Sequence, residues 1–216
     1  KQLAAAYLVY PCAEHSRFSH SLGAMHLAGL LATRLSQSHD LSDDDIQLVR
    51  LAALLHDVGH GPFSHVSEEV LIKHLGKTHE ELGCWLIKES ELADVLNDYG
   101  YTPSKVSSLV TGEPPREKGF MASVVHGPID VDKMDFLVRD SYFTGAEYGK
   151  VDIYRLICSM DVVEGVLAVS SSALFALESF IIARYEMFRA VYYHKTVRSA
   201  EVMLCASMNL AHDHIG

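Results

Sequence analysis

Residues 42–65 constrain the chain more than any other stretch. Ser42 is followed by Asp43, Asp44 and Asp45, a capping hydroxyl and then carboxylates at the positive end of a helix dipole. Beyond them the run through Ile46, Val49, Ala53 and Leu54 is apolar nearly all round. Such a helix has no side to offer water, so it must be central and wrapped by other elements. It runs into His56-Asp57-Val58-Gly59-His60-Gly61-Pro62-Phe63-Ser64-His65. A His-Asp pair therefore arrives in the interior, and Gly59 and Gly61 then break the helix. Burying an ionised aspartate with several imidazoles costs several kcal/mol unless a metal ion or hydrogen-bond partners offset it. One histidine here would be read as satisfying the last helix carbonyls. A His-Asp pair with two more histidines in the next eight residues reads as a ligand cluster. Helical periodicity pairs His56 with His60, one turn apart, while adjacency pairs it with Asp57; spacing leaves both open.

The remaining segments fix the class. Residues 19–38 carry Leu22, Met25, Ala28, Leu31 and Leu35 at helical spacing. Thr78-His79-Glu80-Glu81 has capping-box spacing, and Thr102-Pro103 puts proline at a first helical position. Residues 132–144 read as a helix closed by Gly145, and residues 172–211 as one long helix or two in succession. Residues 161–170 are the exception: β-branched runs flank Glu164-Gly165, a hairpin signal. The expectation is a mainly α fold with one small β-hairpin near 161–170. Residues 111–119 read as a polar loop, and nothing looks like a domain linker, so residues 1–216 are expected to form a single domain. Lys1-Gln2-Leu3-Ala4-Ala5-Ala6 opens as though in mid-helix, which suggests a piece of a longer chain.

Composition narrows the partners. With 18 Lys+Arg against 28 Asp+Glu the formal charge is −10. That disfavours a broad surface for nucleic acid or anionic membrane, though not a small basic pocket. Cys12, Cys84, Cys158 and Cys205 are far apart and read as reduced thiols, which suits the cytoplasm. No apolar run approaches the roughly 20 residues of a membrane span. The unusual count is 13 histidines, seven of them between residues 15 and 65.

Two further segments carry chemistry. Arg17 and His20, in Glu14-His15-Ser16-Arg17-Phe18-Ser19-His20-Ser21-Leu22-Gly23, are three apart at a helix entry and share a face. Asp130-Val131-Asp132-Lys133-Met134-Asp135-Phe136-Leu137-Val138-Arg139-Asp140 crowds acids and bases at the start of a helix; charge runs of this kind are usually solvated faces. Taken in order, these three segments resemble the HD superfamily of metal-dependent phosphohydrolases. The nearest branch holds the bacterial and archaeal deoxynucleotide triphosphohydrolases and their vertebrate sterile-alpha-motif/HD relative. The likeness runs over residues 2–198 and is tightest over 9–65 and 128–149.

The resemblance implies an HD helical bundle and one divalent metal ion held by His20, His56, Asp57 and Asp132. His60 is thereby moved toward the substrate. Of Mn²⁺, Fe²⁺, Ni²⁺, Zn²⁺ and Mg²⁺, a set with two imidazoles suits the first four better. It further implies that Arg17, Lys133 and Arg184 contact the phosphates, and that His60 and His65 are phosphate or leaving-group contacts. His79 resembles the histidine that protonates the leaving oxygen, oriented by Glu68, although Thr78-His79-Glu80-Glu81 is also simply a good helix start. Asp140 and Tyr192 match positions near the sugar. The implied reaction is hydrolysis of deoxynucleoside triphosphate to deoxynucleoside and triphosphate by metal-activated water. A homo-oligomer, dimer or tetramer, is implied too. Two positions depart from the pattern: Phe136 replaces a tyrosine that gates the sugar in the vertebrate enzyme, and Phe188 replaces a histidine. They keep open another nucleotide or phosphomonoester substrate, or a regulatory nucleotide-binding module without turnover. His15 and His26 are placed on the first helix and read as structural, and His212 and His214, near the chain end, as surface or fraying residues.

Overall fold

The computed structural model describes residues 1–63, 65–113 and 118–215, with backbone only at His65 and residues 212–215. Part of the loop read at 111–119, and the side chains of His212 and His214, lie outside that set.

Helix α1 (Arg17–Leu35) starts on Ser16, whose hydroxyl accepts from the Ser19 N–H at 3.1 Å. It buries His20, Ala24, Ala28, Leu31 and Leu35 on one face. Helix α2 (Asp43–Leu55) opens with a full capping box: Ser42 Oγ accepts the Asp45 N–H, and Asp45 accepts the Ser42 N–H at 2.9 Å. The helices α1 and α2 pack along each other. Alanines 24, 28 and 32 on one side and 52 and 53 on the other are all buried, which lets the backbones approach closely. From Asp45 to Leu55 no residue of α2 is exposed, as its all-round apolar pattern requires.

The other helices wrap this pair. They are α3 (His65–Leu75), α4 (His79–Glu89), α5 (Glu91–Asp98), α6 (Pro103–Val110), α7 (Phe120–Val125), α8 (Val131–Thr144), α9 (Ile153–Ser159), α10 (Leu174–Met187) and α11 (Lys195–Ile215). Against α2 lie α6 and α7; against α1 lies α8; α3 sits on α11. Strands β1 (Met160–Val163) and β2 (Val166–Val169) form an antiparallel hairpin, Met160 opposite Val169 and Val163 opposite Val166. Glu164 and Gly165 both take positive φ, 52° and 79°, the requirement of a two-residue turn matched to strand twist. Leu31, Leu35, Val49, Ile87, Leu109, Met134, Leu137 and Leu156 belong to one core. Among the described residues no helix is long and apolar enough to cross a membrane.

The mainly α expectation, the hairpin and the caps at Ser42 and Thr78 are borne out. Two readings are corrected. Residues 1–6 are not mid-helix; only a 3₁₀ turn, Ala6–Leu8, forms. The Gln2 N–H bonds to the His15 carbonyl at 2.9 Å, folding the segment back so that Ala6 and Ala13 bury against Val197. His15 precedes α1 instead of lying on it. Residues 172–211 resolve into two α-helices divided by a π-helical turn, Phe188–Tyr192.

Asp45 also accepts from Lys118 Nζ at 2.6 Å. Burial alone would raise its pKa, but the bonds from Lys118 and Ser42 hold it below the usual carboxylate value. A lowered folded-state pKa adds stability above the unfolded value and loses it as pH falls. Asp45→Ala should therefore cost about 1 kcal/mol at pH 7. In urea denaturation the gap to the parent should narrow below about pH 4.

Candidate metal centre

Three elements bring donors to one point. His20 lies in the first turns of α1, His56 is the C-cap of α2, and Asp132 stands in the first turn of α8. His20 Nε2 is 3.3 Å from His56 Nε2 and 3.1 Å from Asp132 Oδ1; His56 Nε2 is 3.5 Å from the same oxygen. Asp57 stands apart from this trio yet close to each imidazole, with Oδ1 3.4 Å from His56 Nε2 and Oδ2 3.7 Å from His20 Nε2. Nitrogen and oxygen ligands about 2.0–2.2 Å from one ion are about 3.0–3.5 Å from their neighbours, so this set has the spacing of a coordination shell.

The chemistry of the donors fits as well. His20 Nδ1 is bonded to Asp135 at 2.8 Å and His56 Nδ1 to the Ala53 carbonyl at 2.7 Å. With an N–H spent there, each ring can offer its Nε2 lone pair to a bound ion. His56 is therefore a helix-capping histidine and a potential ligand at once. Burial would lower the pKa of His20, but hydrogen bonds to Asp132 and Asp135 and the nearby Asp57 charge raise it to about 10. Burial likewise opposes ionisation of Asp132, and its bonds to the two histidines overcome that, holding it far below the usual range. The cluster strongly favours added positive charge.

Outer residues orient the cluster. Arg139 grips Asp135 with two hydrogen bonds, Nε to Oδ2 at 2.7 Å and Nη2 to Oδ1 at 2.9 Å. This pair crosses α1 at Gly23, where a Cβ would sit 1.8 Å from Asp135 Oδ1 and 2.3 Å from Arg139 Nη2. Sequence reasoning assigned no role to Asp135 or Arg139. Their signal was positional: Asp132, Asp135 and Arg139 follow i, i+3, i+7 and so share one helix face. Asp130 caps α8, accepting from the Lys133 N–H at 2.9 Å. Lys133 Nζ turns back onto Asp130 and the Gly127 carbonyl. Arg17 Nη1 is paired with Asp57, and its Nη2 is buried without a hydrogen-bond partner among the described residues.

A second group adjoins the first. His60 and His79 stack with centroids 3.9 Å apart and planes within 12°, and His60 Nε2 is 3.5 Å from Asp57 Oδ1. Glu68 bonds to His79 Nδ1. These three residues could also offer metal ligands, but near-parallel stacked rings aim their in-plane lone pairs side by side, not at a common ion. The group suits proton transfer better. Gly59 lets it form: a Cβ there would lie 2.0 Å from the His79 carbonyl oxygen and 2.4 Å from Gly83 N. The side chain of His65 lies outside the described residues.

The predicted sugar contacts are near. Tyr192 Oη donates to Asp140 Oδ2 at 2.8 Å. Burial and the Asp140 charge raise the phenol's pKa, while Arg184 opposes the rise. The Arg184 guanidinium makes no hydrogen bond or ion pair among the described residues and lies over Phe188. Phe136 and Phe188 both meet the Tyr192 ring edge-on, at 6.0 and 5.0 Å.

Comparison with known proteins bears on the family and the fold. The HD domain family matches residues 17–120 and the HD associated region residues 151–214. The deoxynucleoside triphosphate triphosphohydrolase SAMHD1 of Bos taurus is 31% identical, over all of this chain and 43% of its own length. Its Dictyostelium discoideum homologue is 34% identical over 94% of this chain and 42% of its own. An uncharacterised protein of Methanocaldococcus jannaschii is 36% identical over 94% and 41%. A phosphohydrolase structure from Bacteroides thetaiotaomicron superposes with a TM-score of 0.88 at 36% identity, covering 99% of this chain and 51% of that one. The chain spans about half the length of the relatives it matches.

Asp135→Asn should weaken divalent-metal binding about 10–100-fold, and Gly23→Ala should do the same by displacing the Asp135–Arg139 pair. Titration with Mn²⁺ or Zn²⁺ by calorimetry measures both.

Proposed function

Because this chain belongs to the HD-domain family of phosphohydrolases, we propose that it hydrolyses deoxynucleoside triphosphates to deoxynucleoside and triphosphate. The observation that carries this reading is the convergence of His20, His56, Asp57 and Asp132 beside the stacked His60–His79 pair. His20, His56, Asp57 and Asp132 would hold one divalent ion, Mn²⁺, Fe²⁺, Ni²⁺, Zn²⁺ or Mg²⁺, the first four being better matched to imidazole. When bound, such an ion supplies Lewis-acid charge for a phosphoryl oxygen and acidifies water.

The chain's own residues do the rest. Arg17 is anchored on Asp57 through Nη1, so the remaining face of its guanidinium is free to take a phosphate oxygen beside the ion. Arg184 carries a guanidinium without an acidic partner among the described residues and supplies a second phosphate contact. Lys133, bound to Asp130, stiffens the loop before α8 and would reach phosphate only by leaving that partner. His79 gives its Nδ1 to Glu68, which leaves Nε2 to deliver a proton to the leaving oxygen. His60, stacked on that ring, holds it in place and faces the phosphates. Asp140 and Tyr192 read the sugar.

One observation favours a second reading. Phe136 and Phe188, which bracket Tyr192, bring no polar group to the sugar side, and this suits a different nucleotide or a simpler phosphate ester. Assembly into a homo-oligomer is part of the proposal, supported by the exposed Phe175, Ile181, Ile182 and Tyr185 along α10. Free thiols at all four cysteines are consistent with a cytoplasmic setting.

A screen of deoxynucleotides, ribonucleotides and simple phosphate esters, each with the five metals, tests the reading. Release of triphosphate from deoxynucleotides is the expected outcome; no turnover of any compound would leave a binding module. Asp57→Ala should abolish both bound metal and activity. His79→Ala should keep the metal and lower kcat by about 10²–10⁴-fold.

A further inference from the structure

Three side chains, two of them buried, form a line beside the candidate metal centre. His15 Nε2 lies 2.7 Å from Asp140 Oδ1, and Tyr192 Oη donates to Asp140 Oδ2 at 2.8 Å. His15 is 6% exposed and Asp140 1%. A carboxylate has no proton to give, so the imidazole donates from Nε2. The ring is clamped by stacking on Phe143, with centroids 4.5 Å apart and planes within 18°. Its Nδ1 is buried without a hydrogen-bond partner among the described residues. An unsatisfied buried nitrogen is costly, and what the ring retains in exchange is its bond to Asp140.

The backbone of His15 is fixed on both sides. Its carbonyl accepts the Gln2 N–H at 2.9 Å, and the next residue, Ser16, caps α1. The imidazole thus ties Asp140, in the last turns of α8, to the end of α1 that also carries Arg17 and His20. With one donor on each oxygen, the Asp140 carboxylate cannot rotate about its terminal torsion without losing a bond. Tyr192 has committed its only proton to Asp140, so the outer lone pairs of the pair are acceptors alone. Such an edge receives an O–H donor and rejects another acceptor.

We propose that His15 is a positioning residue that presets the Asp140–Tyr192 pair as an acceptor edge for a sugar hydroxyl of the substrate. The proposal rests on the reading of the substrate as a nucleotide. It gives His15 a role that its place outside the metal ligands and phosphate contacts had hidden.

The test uses the metal-loaded protein and two variants. His15→Phe keeps a flat ring against Phe143 and removes the donor; His15→Gln keeps a donor able to reach Asp140. For deoxynucleoside triphosphate, His15→Phe should raise KM about tenfold with kcat unchanged, and His15→Gln should recover most of the loss. Inhibition by inorganic tripolyphosphate, which has no sugar, should be the same in all three proteins. In crystal structures the Asp140–Tyr192 bond should be lost in His15→Phe and kept in His15→Gln. An unchanged Asp140–Tyr192 bond in His15→Phe, an unchanged KM, or an equal weakening of tripolyphosphate would overturn the proposal. If the parent protein turns over no nucleoside triphosphate, the substrate reading falls, and the crystal structures still decide whether His15 positions the pair.

Discussion

The imidazoles of His20 and His56 bring their Nε2 atoms within 3.3 Å of each other in the protein interior. They are held because each opposite nitrogen is tied, one to Asp135 and the other to the carbonyl of Ala53. Those ties depend in turn on close helix packing. Alanines between α1 and α2 bring the two backbones together, and the bare Cα of Gly23 gives the Asp135–Arg139 pair room to lie over α1. Small residues far less conspicuous than the histidines thus decide whether the histidines can meet.

Several residues serve the fold and the candidate site through the same atoms. His56 closes α2 with one nitrogen and faces the cluster with the other. His79 begins α4 behind the Thr78 capping box, and that same place sets its ring against His60. Asp130 caps α8 so that Asp132, two residues on, points inward from the helix start. At −10 overall the chain repels anions at long range, yet Arg17 and Arg184 stand close to the cluster or to Tyr192. Screening over about 10 Å at ordinary ionic strength lets local charge prevail there.

Much of this was legible in sequence wherever one residue's chemistry sufficed. The caps at Ser42 and Thr78, the proline at Pro103, the turn at Glu164-Gly165 and the all-round apolar α2 were all local signals, and the helices and hairpin followed. The choice between His60 and Asp57 as partner of His56 was not local. It depends on α2 ending at Leu55, which breaks the one-turn register, and on α4 arriving against Gly59. Long-range pairs were equally hidden: nothing in the spacing joins His15 to Asp140, 125 residues away. The opening residues looked helical because alanine favours helix, whereas packing against Val197 and the Gln2–His15 bond override that preference.

The π-helical turn at Phe188–Tyr192 carries a consequence for how this region can change. A wide turn is the geometric trace of one residue more than a regular helix needs. Removing that residue would abolish the wide bond from the Tyr193 N–H to the Phe188 carbonyl. It would also rotate everything on one side of the cut by about 100° relative to the other, carrying the Tyr192 hydroxyl away from Asp140. The reach of Tyr192 to Asp140 is thus set by a single surplus residue in the chain.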